Sequence, residues 1–342
     1  QGLSRGDFPG AVVLVRYRGV DLWRKAYGQR QVEPAPEPLT VDTIFDLASI
    51  TKPVATATSI HLLLQEGKLT LDDPVTRWLP DFGQNGKEAV TIRHLLTHTS
   101  GLIPDNALGD YLQGSAKAFE NIHALPLRTP AGRRFAYSDV GFLVLGELVE
   151  QVSGQSLAEF TRERLFEPCG MRDTRFNPPA DWQPRIAPTH KRAGAWIRGA
   201  DHDPRAYALG GTAGHAGLFS TADDLARFGQ MLIQQGELDG QRVLEPATVA
   251  AMFQPAQVSS GLRALGWDKD SPYSSNRGDL LSPAAIGHGG FTGTVFWIDP
   301  EQELVLVFLA SRLHPKGEGN VNALAGRVFT IAASALPAPA AP

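Results

Sequence analysis

Apolar positions follow two rhythms along this chain. Near its start, residues 10–28 (GAVVLVRYRGVDLWRKAYG) hold two runs rich in Val, Leu, Tyr and Trp around Arg18 and Gly19. Such runs flanking a short turn predict a β-hairpin. Residues 45–48 form a further short extended piece. Near the end, residues 292–312 (TGTVFWIDPEQELVLVFLASR) predict a second hairpin, with Asp299 and Pro300 at its turn. The middle shifts to helical spacing. Residues 51–66 carry Val54, Ile60, Leu62, Leu63 and Leu64, and Gly67 is a natural stop. Helices are also predicted over 91–102 (ended by Gly101), 138–154, 156–171 (broken by Pro168), 220–236 (capped by Ser220 or Thr221), 246–253 and 320–336. Residues 173–217 are rich in Pro, Gly and His and read as mostly loop.

Strands at both ends with helices between them predict an α/β fold of the α+β type. An antiparallel sheet flanked by helices forms from a discontinuous domain of residues 1–48 and 200–342. A mainly helical insertion, 49–199, sits against it, with the functional seam between. The Ala/Pro-rich residues 335–342 are expected to be a disordered tail. There is no internal repeat.

Composition narrows the function classes. The 342 residues are 42% hydrophobic and 20% charged, with a net charge of −4. Lys and Arg are scattered, with no basic run of five, so neither nucleic acid nor an anionic membrane is an expected partner. Apolar runs such as 11–15 and 304–310 are far too short for a membrane span. The single cysteine, Cys169, excludes an intrachain disulfide and a cysteine metal cluster. That suits a reducing compartment and a disulfide-free exported protein equally. The chain opens at Gln1, as a processed or trimmed form does, so any signal peptide is expected to be gone already.

The candidate chemistry begins in DLASITKP, residues 46–53. Ser is a favoured helix cap, and a lone Ser-x-x-Lys arises often by chance. Two further stretches change that reading. YSD (Tyr137 to Asp139) opens a predicted helix, and GHGG (Gly287 to Gly290) leads into a predicted strand. Ser-x-x-Lys, then Tyr-x-Asn or Ser-x-Asn, then Lys-Thr-Gly or His-x-Gly is an ordered three-part signature of penicillin-recognising serine hydrolases. HLLTHTSGL (94–102), PAGRRFAYSDVGFLVLG (130–146) and GLFSTADDLARF (217–228) extend the likeness over nearly the whole chain. The sequence therefore resembles the serine β-lactamase-like superfamily, on the side of class C β-lactamases, D-alanyl-D-alanine carboxypeptidases and related esterases.

That resemblance implies a β-lactamase/transpeptidase-like fold and an acyl-enzyme at Ser49. Three residues apart on a helix, Ser49 and Lys52 share one face. Lys52, if neutral, takes the serine proton; if charged, it lowers the pKa of Tyr137, which then serves as base or relay. Sequence leaves both routes open. By resemblance, the backbone N–H groups of Ser49 and Phe291 form the oxyanion hole, and Asp139, His288, Gly289 and Gly290 support the substrate. Small-molecule esters, amides or β-lactams are the expected substrates, with no cofactor and no metal.

The signature also departs from its commonest form. Asp139 stands where Asn is usual, and an ionised carboxylate cannot donate to a substrate carbonyl. His288 stands where Lys is commonest and carries little charge at pH 7. Gly289 removes a hydroxyl. These changes favour a carboxylesterase acting on small or medium acyl esters without a carboxylate. A D-alanyl-D-alanine carboxypeptidase or weak β-lactamase is the alternative, and Arg198 or Arg205 is a candidate replacement anchor. A non-turnover penicillin-binding or ligand-sensing module is the competing class. His94 and His98 lack the Glu of a zinc helix and read as structural. Asp201, His202, Asp203 and His215 read as a hydrogen-bonded loop rather than a metal site. Asp72 and Asp73 read as turn chemistry, and Trp196 and Trp267 as core or acyl-pocket residues.

Overall fold

The computed structural model describes residues 2–317 and 319–336. Nine strands form one antiparallel sheet: β1 Gly10–Tyr17, β2 Val20–Gln31, β3 Glu37–Pro38, β4 Ala256–Val258, β5 Gly261–Arg263, β6 Asp268–Asp270, β7 Ile286–Gly290, β8 Thr294–Asp299 and β9 Leu304–Ala310. Their order across the sheet is β4-β5-β6-β7-β8-β9-β1-β2-β3. The first and last hairpins therefore lie side by side, with Val13 of β1 opposite Phe308 of β9.

The apolar run of β9 follows from burial on both faces. Successive strand residues point to opposite sides. Val305, Val307 and Leu309 enter the larger core, whereas Leu304, Leu306 and Phe308 enter a second core on the other face. Strand β1 divides the same way, Val12 and Leu14 against Val13 and Val15. The larger core is covered by helices α1 (Thr58–Gln65), α2 (Asp139–Ser153) and α3 (Ala222–Ile233), and the second by α4 (Asn322–Ser334).

Helix ends follow local chemistry. The Ser138 hydroxyl accepts from the Gly141 N–H at the start of α2, and Gly154 closes it in the left-handed conformation. At α3 the cap is Thr221, whose hydroxyl accepts from Asp224.

Three expectations need correction. The helix expected over 91–102 covers only Ile92–Leu96, because the chain turns away at His98, φ 56°. Strands β4, β5 and β6 were not anticipated at all. They are three residues each and carry no apolar alternation that marks them. The tail expected from 335 begins too early. The Ala335 and Leu336 N–H groups bond back into the last turn of α4, to Ile331, Ala332 and Ala333 carbonyls. Residues 337–342 lie outside the described residues.

Candidate active site

Ser49 lies on a tight turn, Ala48–Ile50, between the short strand Phe45–Asp46 and the buried helical segment that leads into α1. Ala48 holds φ at 49°, a left-handed conformation that costs a non-glycine residue energy and recurs at functional turns. The Asp46 carboxylate stabilises the turn by accepting from the Ala48 N–H at 2.9 Å. The next six residues, Lys52–Ala57, form a π-helix, with Pro53 in its first turn. Ser49 makes no cap bond there. Its hydroxyl instead accepts from Lys52 Nζ at 2.9 Å.

Lys52 is wholly buried. Its ammonium also donates to the His215 carbonyl at 2.9 Å and faces Asp139 Oδ1 at 2.6 Å. Burial alone would lower the Lys52 pKa, but Asp139, then Tyr137, outweigh it and hold the amine above its ordinary value. Burial likewise pushes Asp139 up, and Lys52 more than reverses it, so the carboxyl stays below the usual range. The pair is ionised. The Tyr137 phenol interacts with both Ser49 and Lys52, yet burial pushes its pKa up by more than Lys52 draws it down. At neutral pH the resting site thus holds a lysine ammonium and a protonated tyrosine.

Strand β7 forms the facing wall. A side chain at Gly290 would meet the Leu47 carbonyl at 2.4 Å, so only glycine lets the strand edge come this close. Two hydroxyls fasten the segment after it: Thr292 Oγ1 to the Asp46 carbonyl at 2.7 Å, and Thr294 Oγ1 to the Leu47 carbonyl at 3.1 Å. Phe291, just before them, is 60% exposed and borders the space on both sides of Ser49. His288 Nδ1 lies 2.8 Å from the Gly289 carbonyl, which can only accept, so Nδ1 carries the proton. Burial first, then the charges of Arg263 and Lys52, lower the His288 pKa to about 3. Its imidazole is neutral, with Nε2 buried and unpartnered.

Two cavities of about 510 Å³ meet at Ser49 and Tyr137. One runs along β7 and includes Arg263, Asn276 and His288. The other contains Asp139, His202, Asp203 and His215. In the second, His202 Nδ1 sits 3.0 Å from Asp46 and 3.2 Å from Asp201, and His215 sits 3.1 Å from Asp203. Burial alone would discharge His202, but Asp46 and Asp201 raise its pKa well above the ordinary value.

The motif residues Ser49, Lys52, Tyr137, Asp139, His288, Gly289, Gly290 and Phe291 therefore converge from three separate stretches of sequence. Other candidates fall elsewhere. His94 Nδ1 accepts from Thr91, and His98 Nδ1 accepts from Ser138 while its ring packs 4.5 Å from Tyr137. Trp267 is buried between Phe228 and Phe296, and Trp196 packs on His314. Burial pushes the Cys169 thiol up to about 12. Neither suggested arginine anchor faces the β7 cavity. Arg198 donates to Gln31 and Glu37, and Arg205 to the Asn106 carbonyl. Two arginines do face it, Arg312 and the unforeseen, fully buried Arg263. Its one sequence signal is a lone charge among Leu262, Ala264 and Leu265.

The sequence profile described as Beta-lactamase matches residues 1–329. This chain belongs to the Beta-lactamase family. A Bacillus subtilis (strain 168) member named N-acetylmuramyl-L-alanine amidase is 31% identical over 94% of this chain and 82% of its own length. An Escherichia coli (strain K12) member, provisionally named a D-alanyl-D-alanine carboxypeptidase, is 32% identical over 90% of this chain and 79% of its own. The solved structure of EstCE1, described as a hydrolase with promiscuous acyltransferase activity, superposes with a TM-score of 0.76 at 25% identity, covering 96% of this chain and 95% of that one. The family places the chain among serine hydrolases, on the fold expected from its sequence. The names of its relatives and structural neighbours include an amidase, a carboxypeptidase and a hydrolase with acyltransferase activity.

Proposed function

We propose that Ser49 is the nucleophile of an acyl-enzyme hydrolase and that the protein turns over small and medium acyl esters as a carboxylesterase. The observation that carries this reading is the position of Lys52, 2.9 Å from Ser49 Oγ and 2.6 Å from Asp139. A charged lysine cannot accept a proton, which leaves Tyr137 to move it. The phenol takes the Ser49 proton as it gives its own to the leaving group. Ser49 Oγ bonds the acyl carbon, the acyl–oxygen bond breaks, and the leaving group departs protonated. Water repeats the exchange in reverse and releases the acid. The ammonium stabilises the alkoxide as it develops, and the N–H groups of Ser49 and Phe291 serve the oxyanion, each such donor typically contributing ~10²–10³ in rate.

The test joins labelling and turnover. A fluorophosphonate adduct mapped to Ser49 by intact mass and peptide analysis, with p-nitrophenyl butyrate turnover lost in Ser49→Ala, is the expected result. Stable labelling without turnover would replace this reading with the sensing module. A second reading, cleavage of an amide by the same acyl-enzyme, is favoured by the amidase and carboxypeptidase names of the two relatives and by Arg263.

A further inference from the structure

Tyr137 carries the proton in the proposed chemistry, yet it belongs to no helix or strand and lies just before α2. The backbone of such a residue is fixed by whatever bonds to its neighbours. Here both neighbouring N–H groups go to one residue. Ala136 donates to the His98 carbonyl at 2.9 Å, and Ser138 donates to His98 Nδ1 at 3.1 Å. The same imidazole packs on the Tyr137 ring, with centroids 4.5 Å apart and planes at 30°. Tyr273 also packs on that ring, at 4.9 Å, but is itself half exposed and gives looser support.

His98 adopts a costly conformation in this place. Its φ of 56° is left-handed, and its N–H bonds back to the Leu95 carbonyl at 3.1 Å, where the helix Ile92–Leu96 ends. The side chain is buried, and Phe142 of α2 packs on it at 5.0 Å. Because Nδ1 accepts from Ser138, Nε2 carries the hydrogen. Burial first, then the charges of Arg263 and Lys52, hold the imidazole well below its ordinary pKa. The ring therefore stays neutral, and Nδ1 stays an acceptor, at any working pH.

We propose that His98 is the positioning residue for Tyr137: it grips the backbone on both sides of that tyrosine, stacks on its ring, and so holds the phenol between Ser49 and the leaving group. The inference rests on the reading that Tyr137 passes the Ser49 proton to the leaving group. A relay of that kind needs its oxygen within hydrogen-bond reach of both ends at once, and a displacement of about 1 Å typically costs ~10²-fold in rate. The dependence on His98 is therefore greatest where the leaving group most needs its proton. An alkoxide is a poor leaving group and cannot depart unprotonated, whereas p-nitrophenolate can.

The experiment measures kcat/KM for ethyl butyrate and p-nitrophenyl butyrate and follows their ratio, ethyl over p-nitrophenyl. A loss of folded or active protein lowers both rates together and leaves the ratio unmoved. His98→Leu removes the acceptor and the aromatic face, and the ratio is expected to fall ~10-fold, with both rates lower and KM little changed. His98→Asn keeps a side-chain acceptor and tolerates the left-handed backbone, so the ratio is expected to fall less and to decide the question if His98→Leu does not fold by circular dichroism. An unchanged ratio in every folded His98 variant overturns the proposal. Tyr137→Phe supplies the control. Its ratio is expected to fall at least as far, and His98→Asn added to it should lower the ratio no further. A further fall in that background would mean that His98 acts by another route, and would overturn the proposal. A ratio lowered in Tyr137→Phe but not in the His98 variants rejects the role of His98 alone. A ratio unchanged in Tyr137→Phe rejects the proton route, and the positioning role with it.

Discussion

The two cavities that meet at Ser49 are of nearly the same volume and treat charge in opposite ways. On the side of His202 three basic side chains each lie against a carboxylate. His202 lies between Asp46 and Asp201, His215 against Asp203, and Lys52 against Asp139. Asp105 lies here as well, and burial raises its pKa. An incoming anion would meet carboxylates on this side. On the side of β7 the one carboxylate paired with Arg263 is shared among several donors, and two guanidinium nitrogens remain unanswered. Equal volumes thus carry different charge. The difference lies in which ion pairs are closed, and substitutions on each side test it.

The largest effect is expected at the junction. Ser49→Ala should lower ester turnover by ~10³-fold or more while the fold persists, because the hydroxyl makes no cap bond. Steady-state kinetics and circular dichroism check this, and retention of more than a few per cent of kcat would remove Ser49 from the chemistry.

Next is Asp139→Asn, which opens an ion pair on the His202 side. Lys52 is left buried without its counter-charge. Loss of one partner of a buried pair typically costs ~3–5 kcal/mol, and partial exposure of Asp139 places this one toward the lower end. The sign with pH is definite. The carboxyl is held below its unfolded value, so its contribution is present above about pH 4 and is lost as pH falls through the folded pKa. Urea denaturation should therefore show a gap between wild type and variant at pH 7 that closes in acid. A gap independent of pH would mean that the pair does not govern stability here.

His202→Gln should cost somewhat less, ~2–3 kcal/mol at pH 6, and with the opposite pH sign. A histidine whose pKa is raised contributes fully below its unfolded value of about 6.5, and the contribution fades as pH rises through the folded value. Denaturation at pH 6 and pH 9 separates this from a packing defect, which would persist at both.

The smallest effect is expected for Thr292→Val, about 1 kcal/mol for one buried hydrogen bond. A fall in kcat larger than the fall in stability explains would show that the hydroxyl also holds Phe291 in register. An unchanged kcat would show that Thr294 suffices.

The comparison also marks what the sequence makes legible. Long apolar runs and capped helices announce themselves, as β9 and α2 do, because burial on two faces or a Ser and Gly at the ends leaves a local trace. The motif residues are equally visible, since their order along the chain is diagnostic even though their meeting in space is not. The Arg263 side leaves little trace. Strands β4, β5 and β6 pair with their neighbours in sequence, but three-residue strands have too few positions for alternation to show. The same holds for the His215 carbonyl on Lys52, a backbone group that no residue identity encodes.

The threonine fastenings have a consequence for how such a site changes over time. Thr292 and Thr294 join the end of β7 to the Asp46 and Leu47 carbonyls, just before the nucleophile, and bypass both cavity walls. Strand edge and serine turn are therefore a single rigid part, and the walls are separate parts mounted around it. A wall can be rebuilt without altering the spacing of the groups that make and break bonds. Such modularity would let one chemical core serve amidases, peptidases and esterases while each keeps its own clientele.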